Sequence, residues 1–467
     1  MLTIMYSIIK KSKPFLVLCI ALILGYTGAK FGFSVKQSIT VSVFSLSVMG
    51  VLFFWESRLS FLFFGTGVLL ISGAVDLENI VKFASLDVIF FIIGMMILVG
   101  MLNDAGLFYY IITKLLRTVH LTGVRLFMWL MFISAILSGL MGEVASIIIM
   151  TNIILDISDF FEIDPLPLLI SSVLATNIGS SGTLLGNPIG ILIAARGNLS
   201  FEDFLVKAMP ITIVVLVASI MVLCFWFRKY ISQLNEKIKD ISGNSFFFSL
   251  ISIPPDKQLK VNIGIFLVTL LAISLHRRLE LYFGIQDNGL LLMIPIVFAG
   301  IAMFFRSHRM RHYIDHDVEW MSILFFLFLF AQAGVIKYSG ISDFFAKRLI
   351  ESMNNTPALL SGIVLFTSGI LSSVLDNTVV VASCVPIIQS ISSLGIGVKT
   401  LWWTILFGAC YGGNITVIGS TANIVAMDIL EKKKKTRIAF GYWLKIGFVI
   451  GIFSMFMAYA LLFLFNI

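Results

Sequence analysis

Long apolar runs alternate with short polar or basic ones along the whole chain. Windows of about 20 apolar residues, the length an α-helix needs to cross a bilayer, fall near 15–33, 39–55, 60–75, 84–103, 124–140, 204–227, 258–275, 287–305, 319–336 and 441–466. Four more segments, 143–158, 165–195, 357–392 and 398–429, are apolar but interrupted by Gly, Asn, Ser, Thr and Pro. The pattern predicts an all-α, polytopic membrane protein. Lys10, Lys11 and Lys13 ahead of the first run resemble a signal peptide, but no Ala-x-Ala site follows and many spans do. That run therefore reads as a retained first helix. The longest polar stretch, 228–257, reads as a connector between two halves.

The sequences on either side of that connector repeat. Ser138-Gly-Leu-Met-Gly142-Glu143-Val-Ala-Ser146 aligns with Ser372-Ser-Val-Leu-Asp376-Asn377-Thr-Val-Val. Gly179-Ser-Ser181-Gly-Thr183-Leu-Leu-Gly186-Asn187 aligns, at nearly the same offset, with Gly412-Gly-Asn414-Ile-Thr416-Val-Ile-Gly419-Ser420. Two ordered matches at one offset indicate duplication. With Lys10–Lys13 inside, alternating helices start the first repeat outside near Asp87 and the second inside near Trp320, so the repeats are inverted. Arg228-Lys229, Arg306–Arg311 and Lys432–Lys435 then all fall inside, while His276-Arg277-Arg278 falls outside against the trend. The expected location is a cell membrane, with the N-terminus cytoplasmic and the C-terminus external.

Composition narrows the class. The chain is 59% hydrophobic and 12% charged, about half the charge of a soluble domain, so it cannot cover a water-facing globule. Its excess of basic residues sits in loop clusters between apolar spans rather than on one polar face, which argues against nucleic-acid binding. Cys19, Cys224, Cys384 and Cys410 lie apart in apolar stretches and read as small buried hydrophobes. His120, His276, His308, His312 and His316 lie in or beside basic loops with no HExxH spacing, so no metal site is expected, nor any organic cofactor. No GxxxxGK[ST] motif suggests ATP as the energy source, and no GxSG motif suggests an intramembrane hydrolase.

The polar interruptions carry the chemistry. Breaking a helix in lipid frees N–H and C=O groups, each costing several kcal/mol unless it finds a partner. Such breaks persist where they line an enclosed site, and paired breaks in opposed repeats point to a midplane binding site. In the first repeat the break is Thr176–Pro188, with Asn177, Ser180, Ser181, Thr183 and Asn187 as candidate ion or substrate ligands. In the second it is Tyr411–Asn423, with Asn414, Thr416, Ser420, Thr421 and Asn423. Asn and Thr add nothing to close helix packing, so small-residue contact alone does not account for both breaks. Oxygens of Ser181, Thr183, Asn414 and Thr416 are candidates for a bound sodium ion.

Glu143 and Asp376 are carboxylates within apolar runs, which by default mark function, and Asn377 beside Asp376 is a further candidate ion or substrate ligand. Either carboxylate could ligate a cation or take up a proton, and both are assigned as coupling charges. Asp156, Asp159, Glu162 and Asp164 cluster before Pro165 and read as interfacial. Asp104 reads as a surface helix end, and Asp428 as the partner of nearby Lys residues. Gly65, Gly67, Gly94 and Gly100 read as packing glycines. Together these features predict a secondary transporter moving a small ion by alternating access. The coupling ion is sodium or a proton, and the alternatives are an oxyanion or carboxylate carrier (arsenite, sulfate, dicarboxylate) or an ion channel. No Arg lies inside either polar motif, which leaves an anion without a full positive counterpart.

The motifs resemble the ion transporter superfamily, in its branch of arsenite permeases, NhaD-type sodium–proton antiporters and the melanosomal P protein. That branch is related to divalent anion–sodium symporters. The nearest stretch is Gly412-Gly-Asn414-Ile-Thr416-Val-Ile-Gly419-Ser420-Thr-Ala-Asn423, supported by Asp376-Asn377-Thr378 and by Asn177–Pro188. The resemblance implies a homodimer with scaffold and transport parts, two re-entrant hairpins, two broken helices and an elevator motion. It places Glu143 and Asp376-Asn377 on the hairpins. The resulting division is N-terminal scaffold helices 1–80, repeat one 81–228, connector and linking helices 229–312, and repeat two 313–467. Gly142-Glu143-Val-Ala departs from the Asp-Asn pattern common in the first repeat of that branch.

Overall fold

A computed structural model describes residues 2–107, 110, 122–241, 257–285, 288–351 and 357–465. Among them all regular structure is helical. The first half runs α1 (Leu2–Lys30), α2 (Val35–Phe53), α3 (Arg58–Ile71), α4 (Leu77–Phe83), α5 (Leu86–Asp104), α6 (Gly123–Met141), α7 (Glu143–Phe161), α8 (Leu166–Ser180), α9 (Pro188–Gly197) and α10 (Met209–Trp226). After α11 (Arg228–Ile241) the second half runs α12 (Lys257–Phe283), α13 (Gly289–Phe305), α14 (Trp320–Tyr338), α15 (Ile341–Glu351), α16 (Pro357–Ser372), α17 (Asn377–Ser393), α18 (Lys399–Gly412), α19 (Thr421–Lys434) and α20 (Phe440–Leu464). Eight helices among the described residues are long and apolar enough to cross a membrane, or nine if the bent segment following α13 is counted.

Local chemistry sets the boundaries. Ser34 and Gln37 form a reciprocal capping box that starts α2. Asn187 accepts the Gly190 N–H at 2.7 Å, with Pro188 at the first helical position, which starts α9. Gly142 separates α6 from α7 at φ +91°, a backbone that L side chains rarely adopt, so the chain reverses there as a helical hairpin. In the second half residues 373–376 make the same reversal between α16 and α17, and Asp376 caps α17. Outside the spans, Asp76 caps α4 by accepting the Asn79 N–H at 2.7 Å, and these hydrogen bonds hold its carboxyl below the usual range.

Helix starts repeat at a fixed spacing. α5 and α14, α6 and α16, and α7 and α17 each begin 234 residues apart, the separation of Glu143 from Asn377. A Cβ on Gly100 would meet Asp317, and one on Gly334 would meet Phe83. The end of each of α5 and α14 therefore lies by the entry to the other, and the two run antiparallel, as inverted repeats require.

Two groups of helices result. In one, α5 packs on α13, and α14 on α2, α3 and α4. In the other, α6 packs on α8 and α16 on α18; α7 meets α19, and α9 meets α17 across the halves. At the centre of this second group α10 meets α20, with Ser219 and Ser454 Oγ atoms 3.2 Å apart. A seam along α5 and α14 separates the groups.

Several expectations change. The 60–75 window is the shorter α3, and the 287–305 span turns by 104° into 307–317. The connector 228–257 begins as α11, whose Ile231, Leu234 and Ile238 are buried and whose Asn235 accepts the Gly123 N–H at 3.1 Å. Asp104 is no free surface end. It accepts Arg306 Nη1 at 2.9 Å and the Tyr313 hydroxyl at 3.1 Å, and it pairs with Arg309. His276 lies inside α12, fully buried, with Nδ1 2.7 Å from the Ile273 carbonyl. Arg278 of the same cluster pairs with Glu202 at 3.8 Å. Gly65, Gly94 and Gly100 sit in close contacts, but nothing lies within 4 Å of a Cβ on Gly67. His120 lies outside the described residues.

Candidate functional site

Each hairpin tip is tied to the broken helix of its own half. Thr183 Oγ1 donates to the Gly139 carbonyl, and Thr416 Oγ1 donates to the Ser373 carbonyl at 2.5 Å. Gly139 and Ser373 are equivalent by the repeat spacing, so this is one feature made twice. The Glu143 N–H adds a bond to the Gly186 carbonyl at 2.9 Å. Side chains satisfy carbonyls that unwinding frees: Asn423 Nδ2 donates to Gly413 O at 2.8 Å and Thr416 O at 2.9 Å, and Asn187 Nδ2 donates to Ser180 O at 3.3 Å.

The halves meet at Asn177. Its Nδ2 donates to Asn414 Oδ1 and to Asn423 Oδ1, both at 2.8 Å, and its Oδ1 accepts the Ser420 hydroxyl at 3.1 Å. These four residues are buried. Ser180 extends the network, accepting Asn187 Nδ2 at 2.9 Å and donating to the Asn177 carbonyl at 2.9 Å. Ser181 faces other partners, the Thr212 hydroxyl at 2.9 Å and the Tyr411 hydroxyl at 3.1 Å, and joins α8 to α10 and α18. Cys410 was expected as a simple buried hydrophobe; instead Asn187 Nδ2 donates to its Sγ at 3.2 Å. Cys19, Cys224 and Cys384 are only partly buried.

The two carboxylates lie at the two tips. Glu143 opens α7 with only 4% of its surface exposed. Its Oε1 accepts Asn377 Nδ2 at 3.3 Å, while Oε2 has no hydrogen-bond partner among the described residues. Asp376 accepts the Thr378 N–H at 2.9 Å and the Thr421 hydroxyl at 2.7 Å. Neither forms an ion pair among the described residues, where Asp104, Asp159 and Glu162 do. A buried carboxylate without a counter-charge is expensive, so the Glu143 tip is suited to a proton or a small cation.

A cavity of about 230 Å³ opens onto this tip. Glu143, Asn187, Thr378 and Thr421 line one side; Met95, Gly100, Phe325 and Arg58 line the other, with Asp317 and Glu319. Arg58 supplies the full positive charge that neither motif contains. Its guanidinium lies 3.9 Å from the Trp55 ring centroid and 4.9 Å from that of Phe325, a cation–π setting that orients it. Arg58, Asp317 and Glu319 escape the sequence reading because they stand in charged corners between helices, where a loop charge is the ordinary case. The only signal was aromatic Trp55 three residues before Arg58.

The sequence profile of the citrate transporter family matches residues 48–408 and 333–467. The chain belongs to the citrate transporter family. An uncharacterized transporter of Mycobacterium tuberculosis is 28% identical over 373 residues, covering 79% of this chain and 84% of that protein. The human P protein is 25% identical over 425 residues, covering 76% of this chain and 51% of that protein. Among solved structures, the YdaH transporter of Alcanivorax borkumensis superposes with a TM-score of 0.52 at 14% identity, covering 82% of this chain and 86% of that one. That likeness concerns the fold alone. As a member of the citrate transporter family the chain is a membrane transporter rather than an enzyme, consistent with the resemblance to the P protein branch.

Proposed function

We propose that this protein is a cation-coupled secondary carrier for a small carboxylate-bearing anion. One observation carries the reading: a buried glutamate with a free oxygen and an aromatic-held arginine face the same cavity from opposite sides of the seam. Arg58 offers a planar donor fork matched to a carboxylate. Glu143 offers the site of a proton or sodium ion that travels with it, backed by Asn377 and by the Asn177–Asn414–Asn423 cluster. The family's description as citrate transporters supports a carboxylate substrate. The hairpins and broken helices move as a unit against the α5–α14 scaffold, an elevator form of alternating access, in a homodimer. The distribution of positive loops supports an orientation with Lys432–Lys435 and the N-terminus inside and the C-terminus outside.

Proteoliposomes test this directly. Labelled citrate should accumulate under an imposed sodium or proton gradient. Arg58→Gln should raise KM about tenfold or more, and Arg58→Lys should recover part of it. Absence of uptake of citrate, succinate, sulfate and arsenite under either gradient would remove the anion-carrier reading. Glu143 also favours a second reading, cation–proton exchange without an anion. A sodium-driven internal pH change with no carboxylate present would select it, whereas single-channel currents would select a channel.

A further inference from the structure

At the other end of the seam lies a second cavity of about 470 Å³, between α4, α9, α14 and α17. Lys82, Phe83, Phe330, Gly334 and Lys337 line it. At the repeat spacing of 234 residues these positions correspond to His316, Asp317, Met96, Gly100 and Asn103, all of which line the cavity at Glu143. The two cavities are therefore one architectural feature, made twice by the duplication and opening at opposite ends of the antiparallel pair α5 and α14.

Their charges are opposed. Where the first cavity has Asp317 and Glu319, the second has Phe83 and Ser85; where the first has Asn103 and His316, the second has Lys337 and Lys82. Arg196 of α9 adds a third cation. Among the described residues three carboxylates line the first cavity and none lines the second. Lys337 donates to neutral Gln389 Oε1 at 3.0 Å, and neither it nor Lys82 is ion-paired among the described residues. Arg196 is partly balanced, donating to Ser85 Oγ at 2.6 Å and lying 3.3 Å from Asp87. Equivalent backbone positions carry a charge at one cavity and a neutral side chain at the other, a difference that the packing of the seam does not require.

We infer that this second cavity is an anion-collecting station, built by Lys82, Lys337 and Arg196, where a small free carboxylate binds before the central site takes it. Cations grouped in a low-dielectric cleft focus the field and raise the local concentration of anions. At the opposite end Asp317 and Glu319 stand in the same cavity as Arg58 and weaken its hold on an anion arriving from that side, so the two mouths differ in affinity while the gradient sets the net direction. The carboxylate identity rests on the carrier reading above; the sign of the ligand's charge does not.

A reporter thiol separates the two claims. In the full-length protein freed of Cys19, Cys224, Cys384 and Cys410 and held in phosphatidylcholine vesicles, Gln389→Cys places a thiol on the cavity wall. An anionic sulfonatoethyl thiosulfonate should modify it about tenfold faster than its trimethylammonium analogue, by the focusing of charge. Citrate should slow the reaction. Lys82→Gln with Lys337→Gln should bring the two rates together, and the Lys→Arg pair should restore the difference. The glutamine pair should also raise the KM for citrate entering at that mouth about tenfold with Vmax held. Equal rates for the two reagents, or rates indifferent to citrate, would overturn the station even if citrate is transported. Charge preference and citrate protection without any carboxylate uptake would uphold the station and overturn the carrier reading instead.

Discussion

Asn377 Nδ2 donates to Glu143 Oε1 across 3.3 Å, joining the tips of two hairpins that come from opposite halves of the chain. The two residues are equivalent by the duplication, so one half offers an ionisable group and the other the neutral amide that holds it. This asymmetry puts one carboxylate, rather than two equivalent ones, at the point where the tips touch.

Glu143→Gln should therefore remove the dependence of transport on its coupling ion. The amide keeps the size and a hydrogen bond to Asn377 but cannot gain or lose a proton. Uptake in proteoliposomes should fall and become flat across the pH range in which the parent responds. A variant that retained the parent's pH and sodium dependence would show that coupling resides elsewhere, with Asp376 the next group to examine.

Asn177→Ala should both stop transport and loosen the fold. It strands the Asn414 and Asn423 side-chain oxygens, two buried polar groups, and takes the acceptor from the Ser420 hydroxyl, which keeps the Ala422 N–H. Each costs about 1–3 kcal/mol when left without a partner. Thermal unfolding in detergent should shift down clearly, whereas Ser368→Ala, which removes one bond inside α16, should shift it less. Equal shifts would mean that the central cluster does not bind the halves together.

Disulfides distinguish motion within the moving unit from motion across the seam. Ser219→Cys with Ser454→Cys should cross-link, since the native oxygens are 3.2 Å apart, and should leave transport intact if α10 and α20 travel together as proposed. Lys337→Cys with Gln389→Cys links α14 to α17 and should halt transport until reduced. Unchanged uptake in the oxidised Lys337–Gln389 pair would exclude sliding along this seam.

Gly412→Ala should be among the most damaging small substitutions. The added Cβ would lie 2.1 Å from the Gly369 carbonyl oxygen, backbone that cannot swing aside. Overpacking of this kind costs about 1–3 kcal/mol, here between α16 and α18. Gly67→Ala, in open space, serves as the control and should leave the unfolding temperature within error.

The helices and their duplication were readable because lipid imposes a simple pattern: apolar length makes a span, and polar groups inside one need a reason. Asn177, Asn414 and Asn423 stood out against Val, Ile and Leu for that reason, and they join the two halves at the central cluster. Arg58, Asp317 and Glu319 did not stand out. A charge between two spans is ordinary in a membrane protein, and only the tertiary arrangement brings these corners to one cavity. The amphipathic start of the connector was hidden differently. Ile231, Leu234 and Ile238 form a helical stripe, but a short stripe among charges reads equally as a solvated linker until a partner such as α6 is seen beneath it. Cys410 shows the limit of reading a residue by its type, since its neighbours Ser180 and Asn187 come from elsewhere in the chain.

The Gly100–Asp317 and Gly334–Phe83 contacts have a thermodynamic corollary. Two identical halves would leave a carrier indifferent to which doorway is ajar. In a carrier that alternates as proposed, an acid in one doorway and a phenyl ring in the other hydrate differently, so the free protein should lean toward one pose before any solute arrives. Exchanging that single pair, Asp317→Phe with Phe83→Asp, should shift the lean while Glu143, Asn177 and Asn414 stay in place.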